Sequence, residues 1–371
     1  MMKIEMHKRT LETAVGKVKR AAPLRTTGLL ENIRISAEPD KVTFTGSNGI
    51  MTVVTAVQCS TKEEGEFLVN AGLLADIVRK LPDDVMYLNH DEVKNKLVIE
   101  ALGTKLNLNT ISADEYLKIP EINDEVIELP AETFAGRLEQ IISFAAEESN
   151  NIDILKGIQF LFKSDHLRLT AIDGYRIATA KLSVHGDIPA DAEIIVPKRC
   201  IKELLNLYNG EEKVKIAFSG NQVRFSFGTT KLYSILLVGS YINYEKIIPE
   251  KSKTEVVANR KALLGACDRC AVFKDQHRSA TVKCDLKKDC LELESYDAFN
   301  GSVVEKVTYE EDLIGDPLQI AFNTCYLIDA LKAVSNDNVR MRFSGRVSPM
   351  LLTTDEDPDI KMVILPIRLS N

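Results

Sequence analysis

Four cysteines in the last third of the chain, Cys267-x-x-Cys270 followed by Cys284 and Cys290, have the residue type and opening spacing of a tetrahedral zinc site. The acidic run Asp355-Glu356-Asp357-Pro358-Asp359 offers the hard oxygen ligands that Mg²⁺ prefers. A plainer reading stands against each. Cys267 and Cys270 occupy the helical frame that Leu138 and Ile141, and Val15 and Val18, hold elsewhere in the chain, so they are expected as buried thiols. The acidic run carries a proline between apolar segments and reads as a solvated hairpin loop. The five histidines (His7, His90, His166, His185 and His277) form no HxxxH pair, and the chain has no GxxxxGK[ST], no GxGxxG after a strand and no GxSxG. No catalytic residue, no metal and no cofactor is expected.

The elements that would position any site repeat three times. Leu11, Val15 and Val18 recur as Phe134, Leu138 and Ile141, and again as Leu263, Cys267 and Cys270, each with the i, i+4, i+7 spacing of one buried helical face. A second frame follows the first: Leu74, Ile77, Val78 and Leu81; Ile201, Leu204, Leu205 and Tyr208; Leu327, Ala330, Leu331 and Val334. The segments Phe44 to Gly49, Leu169 to Gly174 and Leu293 to Ala298 correspond in the same way. The period is roughly 125 residues, the size of a compact domain rather than a solenoid turn. The two helical frames within a repeat lie about 65 residues apart, which suggests a doubled half-unit. Each repeat is read as a helix followed by period-2 strands. Strands outnumber the one-sided helices, so the fold class is α+β, with helices on one face of antiparallel sheets. Proline-marked polar segments near 120–130 and 249–253 separate the repeats.

The composition, 45% hydrophobic and 27% charged over 371 residues, is that of a globular protein. No stretch reaches 18 uninterrupted apolar residues, the N-terminus shows no secretory apolar core, and seven cysteines at irregular spacing fit reduced thiols. A cytoplasmic protein with no membrane partner is expected. The net charge is −7, yet the solvent faces of the helices carry Arg9, Lys17, Arg20, Arg79, Lys80, Arg199, Lys261, Arg269 and Lys332 against Asp76, Glu139, Glu147, Glu203, Asp268 and Asp329. Nine cations less six carboxylates leave about +3 on those faces by ideal helix geometry. A solvated face is the bland reading of any one helix. Pooled, the asymmetry suits a phosphate backbone bound without sequence preference. Two apolar segments remain, Ala171 to Ala178 and the tail Val363 to Leu369, which read either as ordinary strands or as the walls of a groove for partner peptides.

Ala171-Ile-Asp-Gly-Tyr-Arg-Ile-Ala178, Ile195-Val-Pro-Lys-Arg199 and Val238-Gly-Ser-Tyr-Ile-Asn-Tyr-Glu-Lys-Ile-Ile-Pro249 appear in that order. Phe322-Asn323 with Tyr326, Asn338-Val-Arg-Met341, Ser348-Pro-Met350 and Leu365-Pro-Ile-Arg-Leu369 follow. With these motifs the chain resembles the bacterial DNA polymerase III β subunit family, the sliding clamps, over its whole length. The resemblance implies three clamp domains, 1–125, 126–250 and 251–371, and a head-to-tail homodimer forming a six-domain ring around double-stranded DNA. It implies a processivity factor rather than an enzyme. The implied partners are the replicative polymerase α subunit, an ATP-dependent clamp loader and other clamp-binding replication and repair proteins.

Carried over by motif, the implied partner groove comprises Leu155, Ile172, Gly174, Tyr175, Arg176, Ile177, Ile242, Ile247, Asn323, Tyr326, Met350, Val363, Leu365, Pro366, Ile367, Arg368 and Leu369. Ile172, Tyr175 and Ile242 depart from the family pattern, and Ser370 and Asn371 extend past its usual end. The implied DNA-facing positions are Arg25, Arg79, Lys80, Ser149, Ile154, Lys198 and Arg199. The implied dimer seam sets Leu106 and Leu108 against Val272 and Phe273, with Lys105 and Glu305 as an ion pair.

Overall fold

The computed structural model describes residues 2–23, 28–119, 122, 127–184, 192–273 and 280–368. One pattern, strand–helix–three strands, runs through the described residues six times. The doubling within each repeat is therefore present. Each half-unit opens on a strand rather than on the helix the periodicity suggested, because the short apolar runs at Met2–His7, Ile127–Pro130 and Thr254–Asn259 join sheets before the chain turns. The helices are α1 (Lys8–Lys19), α2 (Ala71–Lys80), α3 (Ala131–Ile141), α4 (Lys198–Leu207), α5 (Arg260–Cys270) and α6 (Thr324–Ala333).

The helical frames are the core. Helix α1 buries Leu11, Ala14, Val15 and Val18, and α5 buries Leu263, Ala266, Cys267 and Cys270 in the matching positions. In α4 the frame drifts: Ile201, Leu204 and Leu207 are buried, while Leu205 and Tyr208 are half-exposed. Asparagine starts three of the helices. The side chains of Asn70, Asn259 and Asn323 accept from the Leu73, Ala262 and Cys325 amides, satisfying donors that a helix N-terminus leaves orphaned. Helix α1 lies so close to its sheet that a Cβ on Gly46 would sit 2.1 Å from the Val18 carbonyl oxygen. Any larger residue there would push the helix off.

The chain forms two compact units, residues 1–132 with 199–236, and 133–198 with 237–371. The first holds a five-stranded and an eight-stranded antiparallel sheet. In the larger sheet Thr230–Ile235 pairs with Met51–Gln58, placing Leu232 opposite Val53 and making one sheet from two repeats. The second unit holds a twelve-stranded sheet in which Arg176–Ser183 pairs with Ile360–Ile364, placing Met362 opposite Ala178. Both seams use the same positions of the repeat. Arg137 adds a bidentate pair to Asp357 at the second.

Two strand edges among the described residues matter for the repeat. Thr104–Asn109 is the edge of the five-stranded sheet. The long strand Gly301–Gly315 pairs through residues 301–308 with Cys290–Asp297 on one side, and only its far end reaches Thr254–Asn259 on the other.

Candidate functional site

The most developed surface site lies on the twelve-stranded sheet. Ile172 faces Ile177 across one strand pair, Ile177 faces Val363 across the next, and Val363 faces Leu351. Directly opposed residues share a sheet face, so these four form one apolar floor. Leu155, Ala146, Ile195, Tyr241 and Tyr244 close the cluster, with Ile154, Leu237 and Ile248 packed on its margin. The tyrosines are anchored through their hydroxyls. Tyr241 donates to the Gly157 and Thr170 carbonyls at 3.3 Å, and Tyr244 shares a 2.8 Å bond with Thr170 Oγ1. Burial pushes the Tyr241 phenol well above its ordinary value, so it remains a donor. Beside members of this cluster in sequence, Ile242 next to Tyr241, Ile247 next to Ile248 and Leu365 two residues past Val363, these three apolar side chains are left 37–39% exposed.

The hairpin beside this floor is built by Asp173 and Gly174. Asp173 Oδ1 accepts from the Tyr175 and Arg176 amides, and Gly174 takes a φ of +96° that side chains disfavour. Tyr175 projects from the turn, stacked on Tyr326 at 6.3 Å between centroids. Arg176, implied as a groove residue, does not line the apolar floor. It is buried on the opposite sheet face, where it donates to Asp173, to Asp329 of α6 and to the Ser143 carbonyl, between the rings of Phe144 and Tyr326. Met350 is likewise displaced from the groove. It faces Ile364, one residue out of phase with the floor, and lines the core beneath α5 and α6. Asn323 serves as the α6 cap, with Tyr326 one turn further on. The tail is held by two backbone bonds, Leu365 N–H to the Tyr175 carbonyl and Ile367 N–H to the Ala321 carbonyl. Pro366 and Ile367 are half-buried and Arg368 is exposed; Leu369 lies outside the described residues.

The implied DNA-facing residues separate on inspection. Arg79, Lys80 and Arg199 are exposed cations, and Ser149 is exposed. Lys198 is not free. Its ammonium is buried, donating at 2.6 Å to both the Ala145 carbonyl and Glu147. Ile154 belongs to the margin of the apolar floor, and Arg25 lies outside the described residues. The helical cations also carry local partners: Arg9 with Asp83, Arg20 with Glu203, Arg79 with Asp76, Lys261 with Asp337 and Arg269 with Glu305. The positive excess is therefore thinner than the helical wheel implied.

The seam residues also move. Leu108 is buried in its own sheet, whereas Leu106 is half-exposed at the open edge and Val272 is 74% exposed. Phe273 is half-buried, its carbonyl accepting from Ser295. Lys105 pairs with Glu100 and Glu305 with Arg269, so neither awaits the other. The cysteines of the zinc-like motif are free thiols; burial pushes Cys270 up to about 11 and likewise raises Cys267 and Cys284 well above the ordinary thiol value. The acidic run is answered by cations and an amide, with Asp355 on Arg340, Asp357 on Arg137 and Glu356 on Asn336. Sequence reasoning named the motif around Tyr241 and Tyr244 without giving them a role. It set Asp329 on a solvent face and missed its bond to Arg176, for which the only signal was its place one turn beyond Tyr326 on α6.

Three models of the DNA polymerase III β subunit match the chain in succession: the N-terminal domain at residues 2–120, the central domain at 128–243 and the C-terminal domain at 245–368. The chain is 30% identical to the β sliding clamp of Bacillus subtilis strain 168, over 99% of its own length and 100% of that protein. It is 28% identical to the β sliding clamp of Staphylococcus aureus strain Mu50, over 95% of each. The crystal structure of the B. subtilis DNA polymerase sliding clamp superposes with a TM-score of 0.95 at 28% identity, covering all of both chains. That of the C. crescentus β sliding clamp gives 0.92 at 26% identity, covering 99% of this chain and 100% of that one. With its sixfold half-unit and its three successive domain matches, this chain belongs to the DNA polymerase III β subunit family, the β sliding clamps.

Proposed function

We propose that this chain is the processivity factor of a replicative DNA polymerase, a ring that encircles duplex DNA, slides without sequence preference and tethers its partners through the Leu155–Val363 groove. The observation that supports the tethering role is the packed apolar floor with exposed Ile242, Ile247 and Leu365 next to its members in sequence. The role is non-catalytic. A closed ring leaves DNA only by opening, so retention depends on topology. Contacts to phosphate can stay weak and screened, which permits sliding, while the groove raises the local concentration of polymerase at the primer end. Exposed Arg79, Lys80 and Arg199 suit that phosphate role, and Arg25 is retained as a candidate by motif. The polymerase α subunit, an ATP-dependent loader and other replication and repair proteins are the partners proposed for the groove, in the bacterial cytoplasm at the nucleoid. The domains are taken as 1–125, 126–250 and 251–371.

Ring closure follows from the repeat. At each internal seam the third strand after the first helix of one repeat pairs with the last strand of another, Val53 against Leu232 and Ala178 against Met362. Two of the open edges, Thr104–Asn109 and residues 301–308, occupy those same positions. Thr104-Lys105-Leu106 corresponds to Thr230-Lys231-Leu232, and Val303, paired with Ser295, corresponds to Ala178, paired with Ala171. A second copy would set Leu106 opposite Val303 and Thr104 opposite Glu305, and its own free edges would close the ring twofold. Loading onto nicked circular DNA tests the function. Protein that stays on the circle at high salt and leaves when the circle is linearised is the expected result; equal loss from both forms would overturn the ring.

A further inference from the structure

The groove floor does not end where its apolar residues end. Reading along the same four strands on the same face, in steps of two, Ile172 gives way to Thr170 and then Arg168, and Ile177 to Thr179 and then Lys181. Val363 gives way to Lys361, and Leu351 to Thr353. Alternate residues share a sheet face, so one surface passes from aliphatic to hydroxyl to cationic within about 14 Å of strand. Above the cationic end lies a cavity of about 560 Å³ whose wall includes Tyr244, Ile248 and Leu351, the residues that also bound the apolar floor. Its cations are Arg168, Lys181, Arg342 and Lys361.

The carboxylates around the cavity are Glu245, Glu250 and Asp359. Glu245 already pairs with Arg168, and Arg342 is held by Glu255 and Thr353, whereas Lys181 and Lys361 stand exposed at the sheet surface. The two lysines lie on neighbouring strands, Lys361 opposite Thr179 and Lys181 two residues beyond Thr179, with the Lys181 amide donating to the Asp359 carbonyl. They are therefore the pair available to an incoming anion.

We propose that this cavity is a second subsite of the partner groove, which takes a carboxylate-bearing flank of the partner segment about two to four residues from its apolar anchor. The proposal rests on the groove reading and adds the chemistry of what extends beyond it. An extended segment lying along the strands would place Asp or Glu over Lys361 and Lys181 while its apolar residues occupy the floor. Exposed charge pairs of this kind select and orient more than they hold, so the subsite governs which partners bind best at low salt.

Fluorescence anisotropy with labelled synthetic peptides of one apolar core tests this, the core flanked on either end by Asp-Asp or by Asn-Asn. The expected result is one acidic-flank peptide binding roughly three- to tenfold more tightly than its neutral counterpart at low salt. The preference should vanish in K181A/K361A and at high salt, while the neutral peptide binds parent and variant alike. Equal affinity for acidic and neutral peptides in the parent, or a preference that survives K181A/K361A, would overturn the subsite and leave the groove standing. Failure of every peptide to bind would overturn the groove itself, and the subsite with it.

Discussion

Arg176 shows how one side chain can hold a site together from behind. Its guanidinium spends its donors on two carboxylates and a carbonyl, and its faces lie against Phe144 and Tyr326. A lysine could not reproduce that fork. Arg176→Ala leaves Asp173 and Asp329 without their buried partner, and we expect a loss of about 3–5 kcal/mol in urea unfolding together with weaker peptide binding. His90 is a separate case. It stacks on Phe67 at 4.2 Å and shares a 3.0 Å bond with Thr110, and burial lowers its pKa, with Glu92 and Asp91 opposing. The unfolded chain takes that proton near the ordinary histidine value of about 6.5, so below this pH the unfolded state binds more protons and stability is lost. Thermal unfolding should show the midpoint falling from pH 7 to pH 5, and His90→Asn should flatten the fall; an unchanged slope would acquit His90.

The elements distinguish the two internal seams, although both use the same strands. Where the second unit has Ile172 facing Ile177, the first has Ser47 facing Thr52, joined by a 2.7 Å hydroxyl bond. Two hydroxyls satisfying each other offer no apolar floor. The C-terminal segment borders the proposed groove, since the exposed Leu365 follows Val363 of the floor by two residues and its amide closes onto Tyr175. Removing the chain from Leu365 onward should cost a bound partner peptide about 2–4 kcal/mol if two or three buried side chains lose their wall. Anisotropy measures this directly, and a dimer closed through the proposed Leu106–Val303 seam should persist in sedimentation. Unchanged peptide affinity after the truncation would remove the tail from the groove.

At the scale of the whole molecule the prediction concerns register. Directly opposed residues of an antiparallel pair have Cα atoms about 4.5–5.5 Å apart, within disulfide range. A Leu106→Cys, Val303→Cys double variant should therefore form a covalent dimer under mild oxidation. Leu106→Cys with Gly301→Cys, two residues out of register, should not. The parent chain serves as control because its own Cys325 is exposed. Cross-linking of both pairs alike would show a seam without fixed register.

The repeat, the helical frames and the apolar segments that line the floor were legible in the sequence alone. These depend on periodicity and turn chemistry, which are local properties of the chain. The buried cysteines were legible for the same reason, since Cys267 and Cys270 keep the phase of Val15 and Val18. Which face a groove residue takes was not legible. Met350 and Leu351 are neighbours in sequence and equally buried, yet the pleat sends one to the core and the other to the groove floor. The fate of charges was hidden too. Lys198, a phosphate ligand by motif, has the Ala145 carbonyl and Glu147, distant in sequence, at its ammonium, and Lys105 and Glu305 are paired with Glu100 and Arg269. Partners brought together by sheet register decide whether a charged group is spent or available, and register between distant strands is a property of the assembled fold.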